Sequence, residues 1–152
     1  MLDLTTRMVV GWQTSRRPDT NLVIDALTMA KAQGYVAGGA IFHSDRGAQY
    51  TSSALADCAR ASDLVLSKGR TGVCWDNAVA ESFFATLKKQ AWYTKQFDSI
   101  DIARYRISNF IQVRYNTLRP HSSIGDMPPK HAMDAFMARM ATATADPADA
   151  AA

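Results

Sequence analysis

A short apolar run, Ala40-Ile41-Phe42, leads through His43-Ser44 to an acid, Asp45, and breaks at once into Arg46-Gly47. A run this short, bounded by a turn, reads as a buried strand delivering a carboxylate to its end. A second acid, Glu81, falls in the first turns of a helix predicted over Asp76 to Ala91, and thirty-five residues separate the two acids. A carboxylate at a strand end and another on a nearby helix can share a divalent cation. Such a cation polarises a phosphodiester and activates the oxygen that attacks it. Paired acids are common, and on spacing alone most such pairs are solvated surface groups. The residues around them decide the reading.

The rest of the chain fills in around that frame. Met1-Leu2-Asp3-Leu4 reads as a strand tail, Thr5-Thr6-Arg7 as a polar turn, and Met8-Val9-Val10-Gly11-Trp12 as a β-branched strand. The pair predicts a hairpin. Asp19 or Thr20 caps a helix whose inner face is Leu22, Val23, Ala26, Leu27 and Ala30, and Gly34 stops it. Thr51 or Ser52 caps a second helix that turns Leu55, Cys58 and Ala59 inward, with Cys58 a small buried hydrophobe. Leu64-Val65-Leu66 is a short strand. Residues 67–75 form a basic loop without the spacing of a phosphate-cradling P-loop, although Lys68 and Arg70 suit contact with a DNA backbone.

On the Glu81 helix, Phe83, Phe84 and Leu87 are expected to face the core. Lys88 lies two turns beyond Glu81 on the same face, with a drift of roughly 20°, where it could hold a phosphate near the acid. A third helix from Ser99 to Tyr115 buries Ile100, Ala103, Ile107, Phe110 and Ile111. A polar, proline-broken stretch from Tyr115 to Ile124 follows. Pro128-Pro129 then opens a short helix to about Met140, and an Ala/Thr/Asp/Pro tail at 141–152 is expected to be disordered.

Composition narrows the class. The chain has 152 residues, 47% of them apolar, enough for one domain with a core of its own. A net charge of +3 permits nucleic-acid binding without demanding it. Cys58 and Cys74 make neither a C-x-x-C pair nor a zinc spacing. No signal peptide or membrane-length apolar run is present, so the expected location is the cytoplasm, with no membrane partner.

His43-Ser44-Asp45-Arg46-Gly47-Ala48-Gln49-Tyr50 resembles the second-acid motif of bacterial insertion-sequence transposases, which share a catalytic core with retroviral integrases. The stretch from Trp75 through Glu81 to Lys88 is similar to that family's glutamate helix, and Arg119-Pro120-His121-Ser122-Ser123-Ile124 to its C-terminal signature. The early hairpin and the thirty-five-residue interval also match, over residues 2–130 in unbroken order.

The resemblance implies an α/β fold of the ribonuclease H-like type, a mixed sheet flanked by helices, over residues 1–130. A short helix at 131–140 would follow. It implies DNA strand transfer with Mg²⁺ or Mn²⁺, two ions in a complete family member. Asp45 and Glu81 would be the catalytic and metal-binding acids. Lys88, Lys68, Arg70 and Arg119 would contact DNA, and His43, Gln49 and Asn77 would support the site. The implied partners are transposon-end and target DNA, together with a second copy of the chain or a full-length transposase.

The sequence departs from the family pattern in one respect. The family's first acid stands on a strand ahead of the early hairpin, and this chain begins inside that hairpin. The expectation is therefore a core incomplete at its N-terminus, inert or nearly so alone. Asp3 is read as the hairpin's own aspartate and not as a metal ligand. Two other readings compete. One is a metal nuclease of the same fold that works with two acids. The other is a non-catalytic DNA-binding or assembly module.

Overall fold

The computed structural model describes residues 1–69, 78–91 and 97–145. Its centre is the segment Met8–Val10, where all three side chains are buried. Extended backbone sends alternate side chains to opposite sides, and two helical layers receive them. Val9 packs with Leu87, Phe110, Ile111 and Tyr115. Met8 and Val10 pack with Ala30 and Met133. Aliphatic side chains buried in this way contribute ~1.5–3 kcal/mol each.

The predicted hairpin is present, but only as a single antiparallel bridge between Leu2 and Val9. Asp3 N donates to Met8 O at 2.8 Å and Val10 N to Met1 O at 3.1 Å. The other edge of the segment meets a side chain where a ladder would need a strand. Val9 N donates to Asn116 Oδ1, and Asn116 Nδ2 donates to Val9 O, both at 3.0 Å. The Asn116 carboxamide therefore does for Val9 what a neighbouring peptide group would do. It does so at 2% exposure.

Helix α1 (Thr20–Ala32) is capped by Asp19, which accepts from Leu22 N at 3.1 Å. Ala26, Leu27 and Ala30 form its buried stripe. It lies so close to the central segment that a Cβ on Gly11 would sit 2.1 Å from Ala26 O. Only glycine allows that approach.

Strands β1 (Ile41–Ser44) and β2 (Val65–Lys68) pair in parallel, with Ile41 opposite Val65 and Ser44 opposite Lys68. The crossover helix α2 (Ser53–Ala61) is capped by Ser52, the second of the two predicted candidates. It buries Leu55 and Ala59, while Cys58 is only half-buried. The expectation that β1 is a buried strand is corrected. Ile41 is 70% exposed, and only the alternate side chain, Phe42, meets a partner ring, Tyr50 at 6.4 Å.

Helix α3 (Ala78–Gln90) buries Leu87. Phe84, expected in the core, is 54% exposed. A residue next to Phe83 points about 100° away from it, so Phe84 rests edge-on against Phe83 instead, with ring centroids 5.4 Å apart.

Helix α4 (Ile100–Asn109), capped by Ser99, runs straight into a π-helical segment, Phe110–Leu118. Phe110, Ile111, Tyr115 and Asn116 are its buried residues. In an α-helix, positions five apart diverge by roughly 140°. The wider i→i+5 turn brings Tyr115 under Phe110 and Asn116 under Ile111.

Helix α5 (Pro129–Ala145) begins before the predicted 131 and continues past the predicted end at Met140. Alternating Ala141-Thr142-Ala143-Thr144-Ala145 sustains it, because alanine has the highest helix propensity. The part of the predicted tail at 146–152 lies outside the described residues.

Replacing Asn116 with Ala leaves the Val9 N–H and C=O buried without partners. Unfolding in urea should show a loss on the order of 3 kcal/mol. A loss under ~0.5 kcal/mol would mean that water replaces the carboxamide at no cost.

Candidate active site

Parallel pairing puts the carboxyl ends of β1 and β2 side by side, where open α/β sheets place their ligands. The loop leaving β1 is built there. Asp45 Oδ1 accepts from Gly47 N at 2.8 Å, which folds the chain back over the acid. A Cβ on Gly47 would lie 2.6 Å from Gln49 Nε2 and 3.0 Å from Asp45 Oδ1, so a larger residue here would make the Gln49 side chain move aside. Gln49 and Tyr50 follow in a single 3-10 turn, Ala48–Tyr50. Arg46 Nε donates to Gly69 O at 3.1 Å, and Gly69 N donates to Ser44 O at 2.9 Å. The acid loop and the exit from β2 are thereby fastened to each other.

Four of the residues singled out in the sequence meet at this end of the sheet. Asp45 is exposed and Gln49 half-buried. His43 is exposed on β1, with Nδ1 3.1 Å from Ser67 Oγ on β2. Lys68 ends β2 opposite Ser44, also exposed.

Tyr50 belongs to the group, although sequence reasoning gave it no role. Burial pushes its phenol pKa up, the Asp45 charge pushes it further, and a hydrogen bond with Gln49 works the other way. The available signal was its position, an aromatic five residues after the acid and just past a turn.

Glu81 and Lys88 form a second group. Both are exposed on α3, Glu81 in the first turn and Lys88 in the last. Among the described residues, no hydrogen bond or ion pair links them to the Asp45 loop. Arg119 joins neither group. It is half-buried just beyond the π-helical segment, and its charge acts on Tyr115 and His121. Arg70 and Asn77 lie outside the described residues.

The donors suit a hard cation. Asp45 and Glu81 offer exposed carboxylate oxygens, neither in a salt bridge among the described residues, and such oxygens are the usual ligands of magnesium. Among the described residues, however, no cluster of three or more His, Cys, Asp or Glu side chains is placed to hold a metal. Asp3 is engaged elsewhere, since its Oδ1 accepts from both Thr6 N and Thr6 Oγ1 at 2.6 Å.

Comparison with known sequences covers most of the chain. Residues 1–74 match one family described as "Integrase core domain" and residues 63–129 match a second of the same description. The chain is 37% identical over 130 residues to "Transposase InsF for insertion sequence IS3A" of Escherichia coli (strain K12), covering 86% of this chain and 45% of that protein. It is 36% identical over 129 residues to "Transposase for insertion sequence element IS904" of Lactococcus lactis subsp. lactis (strain IL1403), covering 85% and 51% respectively. The chain thus spans about half the length of the curated relatives it matches. Among the described residues, no helix is long and apolar enough to cross a membrane.

The closeness of Asp45 to Tyr50 can be measured without reference to activity. Asp45→Asn keeps an acceptor for Gly47 N but removes the charge. Ultraviolet titration should therefore show the Tyr50 phenol ionising at a lower pH than in the parent. An unchanged titration would place the carboxylate too far away to matter.

Proposed function

We propose that the chain belongs to the insertion-sequence transposases with an integrase-type core, and that it serves metal-dependent DNA strand transfer. The observation that carries this reading is the position of the two acids. Asp45 stands at the carboxyl end of a parallel pair and Glu81 in the first turn of a helix, with thirty-five residues between them. A ribonuclease H-like arrangement agrees with the parallel β1–β2 pair, the antiparallel Leu2–Val9 bridge and the helices on both sides of Met8–Val10.

In this reading Asp45 and Glu81 hold magnesium or manganese, two ions in a complete family member. A bound ion supplies Lewis acidity at the phosphodiester and lowers the pKa of the attacking oxygen. The Gly47 amide fixes the Asp45 carboxylate in orientation. His43 and Gln49 brace the loop, and Asn77 is assigned to the same supporting role. Lys88, roughly 10 Å along α3 from Glu81, holds a backbone phosphate, and Lys68 and Arg70 extend the contact. The substrates are transposon-end and target DNA, and the working form is an oligomer of this chain or an assembly with full-length transposase.

One observation favours a second reading. Among the described residues, no three ligands converge. A chain that binds DNA without cutting it, as a binding or assembly module, would need no such cluster. Nicking of supercoiled plasmid with magnesium separates the readings. Nicking by the parent that is lost in Glu81→Gln supports the enzyme, whereas DNA binding without nicking supports the module.

Two carboxylates without a third make a weak site. Calorimetric titration with Mg²⁺ should give weak binding, abolished by Asp45→Asn or Glu81→Gln. Tight uptake of two ions would contradict a site built on these two carboxylates.

Lys88→Ala should weaken binding to all duplex sequences alike and flatten the salt dependence by about one unit of slope. A change in sequence preference at constant affinity would make Lys88 a reader of bases.

A further inference from the structure

The C-terminal signature is folded against the turn of the hairpin. Arg7, with φ of +62°, donates from Nε to Ser123 Oγ at 3.1 Å. Within the same region the rings of Tyr115 and His121 meet edge to face at 4.9 Å. Arg119 completes the group. Burial, then the Arg119 charge, then the Arg7 charge hold the His121 imidazole below its ordinary pKa. The same two charges partly offset the upward push of burial on Tyr115.

Both arginines are half-buried, and among the described residues neither has a carboxylate within salt-bridge reach. His121 Nε2 is buried with no hydrogen-bond partner among the described residues. Two guanidinium groups gathered around one ring pair repel each other, and partly desolvated charges are normally neutralised by a partner. Nothing in the described protein supplies one. The planar fork of arginine fits a tetrahedral oxyanion with two parallel N–H donors, and a serine hydroxyl can add another.

We propose that Arg7, Arg119 and Ser123 form a clasp for one phosphate group, a phosphodiester of bound DNA, at a site separate from the acid pair. Its place in the fold supports the separation. Tyr115 leans on Phe83 at 5.0 Å, and Phe83 lies about 200° around α3 from Glu81. A helix with its side chains is about 10–12 Å thick. The phosphate in the clasp is therefore a different one from any held beside Glu81. The clasp rests on the DNA reading for the source of its phosphate only.

The test uses the 152-residue chain and two probes. Inorganic phosphate is titrated at constant ionic strength while the ring signals of His121 and the amide of Ser123 are followed by NMR, with His131 as internal control. A saturable shift at His121 and Ser123, lost in Arg7→Gln and in Arg119→Gln, is expected. No shift, or one that survives both substitutions, overturns the clasp. The parent alone decides the first point if a variant fails to fold.

Duplex DNA binding across salt concentrations then identifies the source. If one phosphodiester is held, either variant and the double variant lower the slope of log K against log salt by the same ~0.9. A drop twice as large in the double variant overturns the single-phosphate clasp. A phosphate response with an unchanged DNA slope retains the anion site and overturns DNA as its source. Loss of magnesium-dependent nicking in Glu81→Gln, tested in parallel, reports on the acid pair alone.

Discussion

Everything described here depends on how the outer edge of Val9 is satisfied. The segment Met8–Val10 is buried between two helical layers, so its backbone polar groups have no access to water. A buried, unpaired N–H or C=O is costly, and folded chains rarely leave one. The edge facing Met1–Asp3 is closed by backbone hydrogen bonds. The opposite edge is closed by one carboxamide, which carries a donor and an acceptor at nearly the spacing of a peptide unit. Asn116 lies 107 positions away in the chain, so the contact ties the π-helical segment, which leads into the C-terminal signature, to the hairpin. That bond is also why Arg7, in the hairpin turn, and Ser123, in the signature, can face each other.

The π-helical segment makes this contact possible. Phe110 and Ile111 belong to the apolar stripe of the preceding helix, and Asn116 must point the same way to reach Val9. Straight α-helical continuation would carry it well off that line. The core cluster around Phe110 and Tyr115 and the carboxamide bond together hold the wider turn in place. Thr117 Oγ1, donating at 2.6 Å to Gln112 O five residues back, gives the opened ladder a further partner.

Much of the frame could be read from the sequence. The caps at Asp19 and Ser52, each one of two candidates, the inner face of α1 and the strand ahead of Asp45 follow from local rules, since side-chain oxygens and apolar periodicity act over a few residues. What escaped depends on distant partners. Periodicity correctly marked Phe110 and Ile111 as buried but carries no sign that the helical ladder widens after them. Asn116 looks like an ordinary polar residue until Val9 is beside it. Phe84 and Ile41 are apolar and were expected inside, yet burial depends on what packs above them. Of the residues named for the site, Asp45, His43, Gln49 and Lys68 lie at the carboxyl end of the β1–β2 pair, because each is within a few residues of a strand end in sequence. Arg119 went to a different neighbourhood because the chain after Leu118 folds towards Arg7.

The widened turn also bears on how the chain tolerates changes in length. A residue added to or removed from an exposed connection shifts little, because the slack is absorbed locally. Within Phe110–Leu118 there is no slack. Removing one residue would let the backbone relax into an ordinary α-helix, a locally favourable outcome, but one that turns everything beyond it by about 100°. Asn116, Arg119 and His121 would leave their partners together, like a gear that has skipped a tooth. The segment thus sets the rotational phase between the two halves of the sequence. Homologous chains should vary freely in length on the surface and keep their count between Phe110 and Arg119.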